Sequence, residues 1–176
     1  KIIFKSNRLS PDPVQSFKIY TMNADGTQQE QIFTDKNYHG YPDWSPDETH
    51  VIFNSFDPGN NELFTASIAT GQSSQITTDS GFDDSGRWSP DGTKIAFFST
   101  RTGGSELYLL PVDNNGIRTG FPTRITSNSN RDEQPRWSPD GQTLLYESDR
   151  SGSINIWTID LATKMETQIT FGTSVD

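Results

Sequence analysis

Four times along the chain a short run alternates apolar and polar side chains and ends in serine: Lys1-Ile2-Ile3-Phe4-Lys5-Ser6, His50-Val51-Ile52-Phe53-Asn54-Ser55, Lys94-Ile95-Ala96-Phe97-Phe98-Ser99 and Thr143-Leu144-Leu145-Tyr146-Glu147-Ser148. A second run follows each: Lys18-Ile19-Tyr20-Thr21-Met22, Glu62-Leu63-Phe64-Thr65-Ala66, Glu106-Leu107-Tyr108-Leu109-Leu110 and Asn155-Ile156-Trp157-Thr158-Ile159. A third closes each unit, as Gln31-Ile32-Phe33-Thr34, Gln75-Ile76-Thr77-Thr78, Arg124-Ile125-Thr126 and Gln168-Ile169-Thr170. Alternation with period two predicts half-buried β-strands. Between them sit Ala24-Asp25-Gly26, Asp113-Asn114-Asn115-Gly116 and Ser151-Gly152, residues that tolerate the positive φ of hairpin turns. No helix-period segment of useful length competes, so the expected fold class is all-β.

The runs belong to a longer repeat. Trp44-Ser45-Pro46-Asp47, Trp88-Ser89-Pro90-Asp91 and Trp137-Ser138-Pro139-Asp140 open the second to fourth units, 44 and 49 residues apart, while the first unit lacks this opening. Four antiparallel strands per unit of roughly 45 residues match the blade of a β-propeller, in which radial repetition leaves only short protected sheet edges. The expected organisation is a single propeller domain or propeller segment over 1–176, with repeats at approximately 1–34 plus 171–176, 35–78, 79–126 and 127–170.

The series Pro-x-Trp-Ser-Pro-Asp-Gly, Ile-x-Phe-x-Ser, Glu-Leu-Tyr and Gln-Ile-Thr, recurring in order over essentially the whole chain, resembles the TolB-like propeller repeat, also called the PD40 or WD40-like repeat. Glu48 stands in place of the turn glycine, Gly86 stands where Pro42 and Pro135 stand elsewhere, and the first repeat inserts Leu9–Gln15. A type I turn after proline accepts Glu48, and the insertion reads as a surface loop. The resemblance implies a module that holds protein partners in the periplasm or another extracytoplasmic space, or that serves as an accessory domain of prolyl-oligopeptidase-type enzymes. It also implies that six blades are the commoner ring size.

Composition narrows the partners. A net charge of -9 and a pI near 4.6, with no cluster of Lys or Arg, oppose contact with nucleic acid. The longest apolar runs, such as Leu107–Val112, are too short to insert into a bilayer. Mean hydropathy is low at -0.71, yet 4 Trp, 5 Tyr and 11 Phe supply the large buried surfaces that disordered chains lack. The absence of Cys removes disulfides and thiolate chemistry. No signal segment opens the sequence, and its start at Lys1 rather than Met is consistent with removal of an N-terminal piece.

The conspicuous polar residues read first as structure. In each Trp-Ser-Pro-Asp motif Trp packs between neighbouring blades, Pro presets φ and Asp caps the turn, so Ser45, Asp47, Ser89, Asp91, Ser138 and Asp140 are not catalytic candidates. His39 and His50 have no sequence-local nucleophile, and the Gly-x-Ser-x-Gly, His-Glu-x-x-His and phosphate-loop signatures are missing. One constellation remains. Five positions before each Trp lie His39, Asp83 and Asp132, and Asp176 occupies the same phase at the C-terminus. These four should open the innermost strands at one end of the central channel, where Ca²⁺ could neutralise converging carboxylates. The preferred alternative has each carboxylate accept backbone N–H bonds from the adjacent blade.

The reading is therefore a non-enzymatic scaffold for protein–protein interaction. The alternatives are a propeller hydrolase or lactonase using Asp83, Asp132, His39 and a channel metal, and an accessory propeller of a peptidase. Register adds an expectation about the ends: residues 1–34 supply three outer strands of a blade and Phe171–Asp176 begins its inner strand. Self-closure, truncation from a longer parent, and a head-to-tail homo-oligomer in which one chain completes another's first blade all satisfy that phase. An unfinished blade exposes strand edges, and self-association is expected.

Overall fold

The computed structural model describes residues 1–8, 17–33, 39–56, 59–128 and 130–172, and among these described residues turns separate fifteen strands and there is no helix. The strands are β1 Ile2–Ser6, β2 Lys18–Met22, β3 Glu30–Gln31, β4 His39–Trp44, β5 His50–Ser55, β6 Glu62–Ser67, β7 Ser73–Gln75, β8 Asp83–Trp88, β9 Lys94–Ser99, β10 Glu106–Pro111, β11 Thr123–Arg124, β12 Asp132–Trp137, β13 Thr143–Ser148, β14 Asn155–Asp160 and β15 Glu166–Gln168. They form four antiparallel sheets in sequence order: β1-β2-β3, β4-β5-β6-β7, β8-β9-β10-β11 and β12-β13-β14-β15. These are the blades of a propeller. Among the described residues blade one has three strands, without a counterpart of the inner strands β4, β8 and β12. The Leu9–Gln15 insertion, Thr34 and Asp176 lie outside the described residues.

The closing strands are shorter and earlier than the Gln-Ile-Thr runs suggest, since β3, β7, β11 and β15 end at Gln31, Gln75, Arg124 and Gln168. The following isoleucine still donates one backbone bond to its neighbour, as in Ile76 to Leu63 (2.9 Å) and Ile169 to Ile156 (2.8 Å). Its side chain then leaves the pleat for the face between blades.

That face is where the core sits. Alternation sends every second residue of a blade forward and the next one back, so three apolar clusters fill three inter-blade gaps. Ile19 and Phe33 of blade one meet Val51, Phe53 and Ala66 of blade two, with Trp44 at the margin. Ile52, Leu63 and Ile76 meet Trp88, Ile95, Phe97 and Tyr108. Ala96 and Leu107 meet Leu144, Tyr146 and Ile159, with Trp137 and Trp157 alongside. Each motif tryptophan thus covers the blade before it. Burying such side chains contributes about 1.5–3 kcal/mol apiece. No element of blade one touches an element of blade four among the described residues, so the blades form an open arc.

The Trp-Ser-Pro-Asp turn is built the same way three times. Ser89 Oγ donates to Asp91 Oδ1 (2.6 Å) and accepts the Lys94 N–H (2.9 Å), while Thr93 N–H and Oγ1 donate to the same carboxylate (3.0 and 2.9 Å). Ser45–Asp47 and Ser138–Asp140 repeat the 2.6 Å bond. These donors hold the Asp47 and Asp91 carboxyls down at about 2, the serine hydroxyl being the first cause. The residue after Asp takes positive φ: Glu48 at 58°, Gly92 at 72° and Gly141 at 70°. Glu48 therefore occupies left-handed backbone rather than an ordinary type I position, and the turn accommodates it with strain. Glu48→Gly is expected to raise the unfolding free energy by about 0.5–1 kcal/mol. Urea denaturation measures this; unchanged stability would mean Glu48 has compensating contacts.

The inner strands contain an irregularity absent from the sequence reading. Tyr41, Ser85 and Gln134 have φ of 47°, 55° and 55°, and the register slips between Gly40 and Asp43, Asp84 and Arg87, and Glu133 and Arg136. A bulge at one place in every inner strand bends it where space is tightest. Gly86 follows one of these bulges, and a Cβ there would lie 2.5 Å from Ile52 Cδ1, so glycine fits where the other repeats carry proline.

Candidate binding site

His39, Asp83 and Asp132 open β4, β8 and β12, the positions expected from their spacing. Their backbones stitch blade to blade: His39 N–H donates to Phe17 O (2.9 Å), Asp83 N–H to Asn61 O (2.8 Å) and Asp132 N–H to Ser105 O (2.8 Å). The expected lock between blades exists, but the backbone N–H supplies it as a donor and the carboxylates face elsewhere.

Each carboxylate is held by an arginine of its own blade, 18 residues downstream. Arg101 Nη2 donates to both oxygens of Asp83 (3.0 and 2.8 Å), and Arg150 Nη2 to both of Asp132 (2.9 and 2.9 Å). The arginine is positioned from below and behind. Its Nε donates to the serine ending the preceding strand, Ser99 at 2.8 Å and Ser148 at 3.0 Å. Its guanidinium carbon lies 4.7 Å from the Tyr108 ring centroid in one case and 4.6 Å from Trp157 in the other. Arg150 also pairs with Glu166. Both aspartates are fully buried. Burial pushes the Asp83 carboxyl above its ordinary range, against the pull of Ser99 and Arg101.

Blade two departs from this plan. His39 is buried against Phe33 (5.4 Å, edge to face) and Phe53 (4.8 Å). Among the described residues no group of three or more His, Asp or Glu is placed to hold a metal ion, and Asp176 is outside them. Calcium binding at His39, Asp83 and Asp132 would have to displace Arg101 and Arg150. Millimolar Ca²⁺ or EDTA is therefore expected to leave the melting temperature unchanged. A rise with Ca²⁺ that Asp132→Asn reduces would restore the metal reading.

Deeper along the inner strands lies a second polar group that the sequence reading missed. Asp84 accepts from Asn61 (2.7 Å) and Asn54 (3.3 Å), and burial raises its carboxyl. Asp43 accepts the Trp88 N–H (3.1 Å) and is likewise raised by burial. Beside it Arg87 donates to Gly86 O (2.7 Å) and is pushed down to about 10 by burial and then by Arg136. Asp43 and Arg87 share one register position, directly before the motif Trp, but the opposite charges there hide it from the repeat pattern.

On the surface, at the blade two–three boundary, Phe56 and Phe82 are half exposed with ring centroids 6.4 Å apart. Next to Phe82 a cleft of about 520 Å³ is lined by Asn60, Glu62, Gln75 and Asp79 among others. Glu62 accepts from Thr77 (2.6 Å) and Asn60 (3.1 Å), and burial raises its carboxyl, Asp83 adding to the shift. Its counterpart in blade three, Glu106, has Arg124 at 2.6 Å, where blade two carries Gln75. The cleft thus pairs aromatic surface with acidic walls.

Known proteins resemble the chain in fold. TolB from Acinetobacter baumannii superposes with a TM-score of 0.81 at 23% identity, over 96% of this chain and 40% of that one. A protein of Agrobacterium tumefaciens described as TolB gives 0.75 at 22% identity, over 87% and 56%. A puromycin-hydrolyzing peptidase of Mycobacterium tuberculosis gives 0.68 at 14% identity, over 98% and 30%. The chain thus spans about half or less of the length of each. No curated protein matches it in sequence. The model of the TolB beta propeller domain matches residues 1–176, and the chain belongs to that family.

Proposed function

We propose that this propeller is a non-enzymatic scaffold that holds a protein partner in the periplasm or another extracytoplasmic space. The observation that carries this reading is the fate of its polar side chains. The recurrent serines and aspartates are used in turns and arginine clamps, whereas the Phe56–Phe82 pair and the mouth of the cleft beside it face solvent. Exposed aromatics around a rigid frame are the usual anchors of protein contacts. A partner segment with an apolar side chain for the aromatic pair and a basic one for Asp79, which lies 3.6 Å from Arg101 and is partly exposed, fits this surface. An array of peptides from extracytoplasmic proteins, probed with the chain, tests it: binders should be apolar and basic, and Phe82→Ser should weaken them at least tenfold. Binding indifferent to Phe82→Ser would overturn the assignment of the surface.

A second reading, an accessory propeller of a peptidase, is favoured by the likeness to the M. tuberculosis peptidase over 98% of this chain. Aminoacyl-amide and lactone substrates, offered with and without Mn²⁺, are expected to stay intact with the chain alone. Turnover lost in Asp132→Asn would replace the scaffold by a hydrolase.

A further inference from the structure

Asn115-Gly116 is the one Asn-Gly pair in the chain. In such a pair the backbone nitrogen after asparagine can close a five-membered ring on the side-chain amide carbon, and glycine, lacking Cβ, leaves that approach unhindered. The pair lies in the turn that follows β10, and its two halves have opposite surroundings. Asn115 is exposed to solvent, whereas Gly116 is buried. Asp113 shapes the turn: its carbonyl accepts the Gly116 N–H (2.9 Å), and its Oδ1 accepts the N–H groups of Asn115 (2.9 Å) and Ile117 (2.9 Å).

The buried half is a joint between blades. Gly116 O accepts from Thr65 Oγ1 (2.9 Å), and Thr65 belongs to β6 in blade two. A Cβ built on Gly116, whose φ is 71°, would lie 3.0 Å from Thr65 Cβ and Cγ2 and 3.0 Å from Trp88 Cη2. A longer main chain has no room there. The closed joint also withholds the nucleophile, because the Gly116 N–H is engaged with Asp113 and the Gly116 carbonyl is pinned by Thr65.

We propose that Asn115 is a site of spontaneous deamidation gated by this joint: protected while blade three is docked on blade two, reactive when the turn opens, and unable to dock fully once converted. The Gly116 nitrogen gives up its proton and bonds to Asn115 Cγ, and the side-chain nitrogen leaves as ammonia. Water then opens the succinimide at one of its two carbonyls. Breaking the new bond to Cγ yields an ordinary aspartate; breaking the original peptide bond routes the main chain through the side chain, as isoaspartate. Either product adds a negative charge, but only isoaspartate lengthens the main chain, directly against Thr65 and Trp88. The Asp-Gly pairs at Asp25, Asp91 and Asp140 offer the same ring, yet hydrogen bonds from Thr27, Ser89 and Ser138 hold these carboxyls below their ordinary range and keep them ionised, which makes them poor electrophiles.

The test follows isoaspartate at Asn115 by peptide mapping during incubation of the whole chain at mildly alkaline pH, in buffer and in urea. Conversion should be about tenfold or more faster in urea, where the joint is open. Thr65→Val removes the hydroxyl donor and should speed conversion in buffer about fivefold while leaving the rate in urea unchanged. Ile159→Val, a comparable loss in the gap between blades three and four, should not speed it. The purified isoaspartyl chain should melt about 2–4 °C below the unmodified one, whereas Asn115→Asp, with the charge but not the longer main chain, should melt at the same temperature. Absence of conversion in urea, or equal rates in urea and buffer, would overturn the proposal. So would equal acceleration by Thr65→Val and Ile159→Val, which would assign opening to global unfolding, or an isoaspartyl chain that melts like the unmodified protein.

Discussion

Trp88→Ala is expected to lower the unfolding free energy by about 3–5 kcal/mol. The indole is buried in the gap between blades two and three, against Ile52, Leu63 and Ile76 on one side and its own sheet on the other. Both walls are β-sheet, and the turn at Gly116 closes the end, its Cβ direction coming within 3.0 Å of the ring. Walls of this kind collapse poorly into a vacated volume, which places the cost at the upper part of the range for large-to-small substitutions. Trp137 is half-buried and donates its Nε1–H to Arg87 O (3.0 Å), so its truncation should cost less. Urea denaturation with an unchanged slope would attribute the loss to the folded state. A deficit below about 1 kcal/mol for Trp88 would mean that the tryptophan is not part of the core.

Arg101→Met is expected to cost about 3 kcal/mol near neutral pH, because it leaves the fully buried Asp83 carboxylate without its bidentate partner. Methionine keeps an apolar stem over Phe97 and Tyr108, which isolates the charge from the packing. The pH dependence has a definite sign. Burial already raises Asp83 in the folded protein, and losing Arg101 raises it further. The folded state then binds a proton that the unfolded state releases, so the variant's deficit is greatest at neutral pH and shrinks as pH falls toward the ordinary aspartate range. Adding Asp83→Asn should recover part of the loss at pH 7. A deficit independent of pH would show that Arg101 acts through packing alone.

The blades were readable because their signals are local. A serine and an aspartate two residues apart close a turn whose partners lie within five residues, and period-two alternation is a property of one strand. The arginine clamps escaped because donor and acceptor are 18 residues apart and the set is broken in half the repeats. Blade two has His39 instead of aspartate and Asp57 where arginine would stand, while blade one has Arg8 and, among the described residues, no inner strand. The left-handed backbone at Tyr41, Ser85 and Gln134 has no compositional mark, since one of these precedes glycine and two precede proline. The surface pair Phe56 and Phe82 reads in sequence like two more core aromatics. Only the depth at which each strand ends turns them outward.

Because Arg101 meets Asp83 and Arg150 meets Asp132 inside single blades, these two clamps are complete before any blade meets another. What crosses from blade to blade is apolar contact, a backbone bond at each junction and a few side-chain bonds, among them Asn61 to Asp84, the Trp88 N–H to Asp43 and Trp137 to the Arg87 carbonyl. A gene segment encoding one such unit can therefore be duplicated, deleted or exchanged without orphaning its clamped aspartate, and the number of units can drift over generations while the clamp within each stays whole.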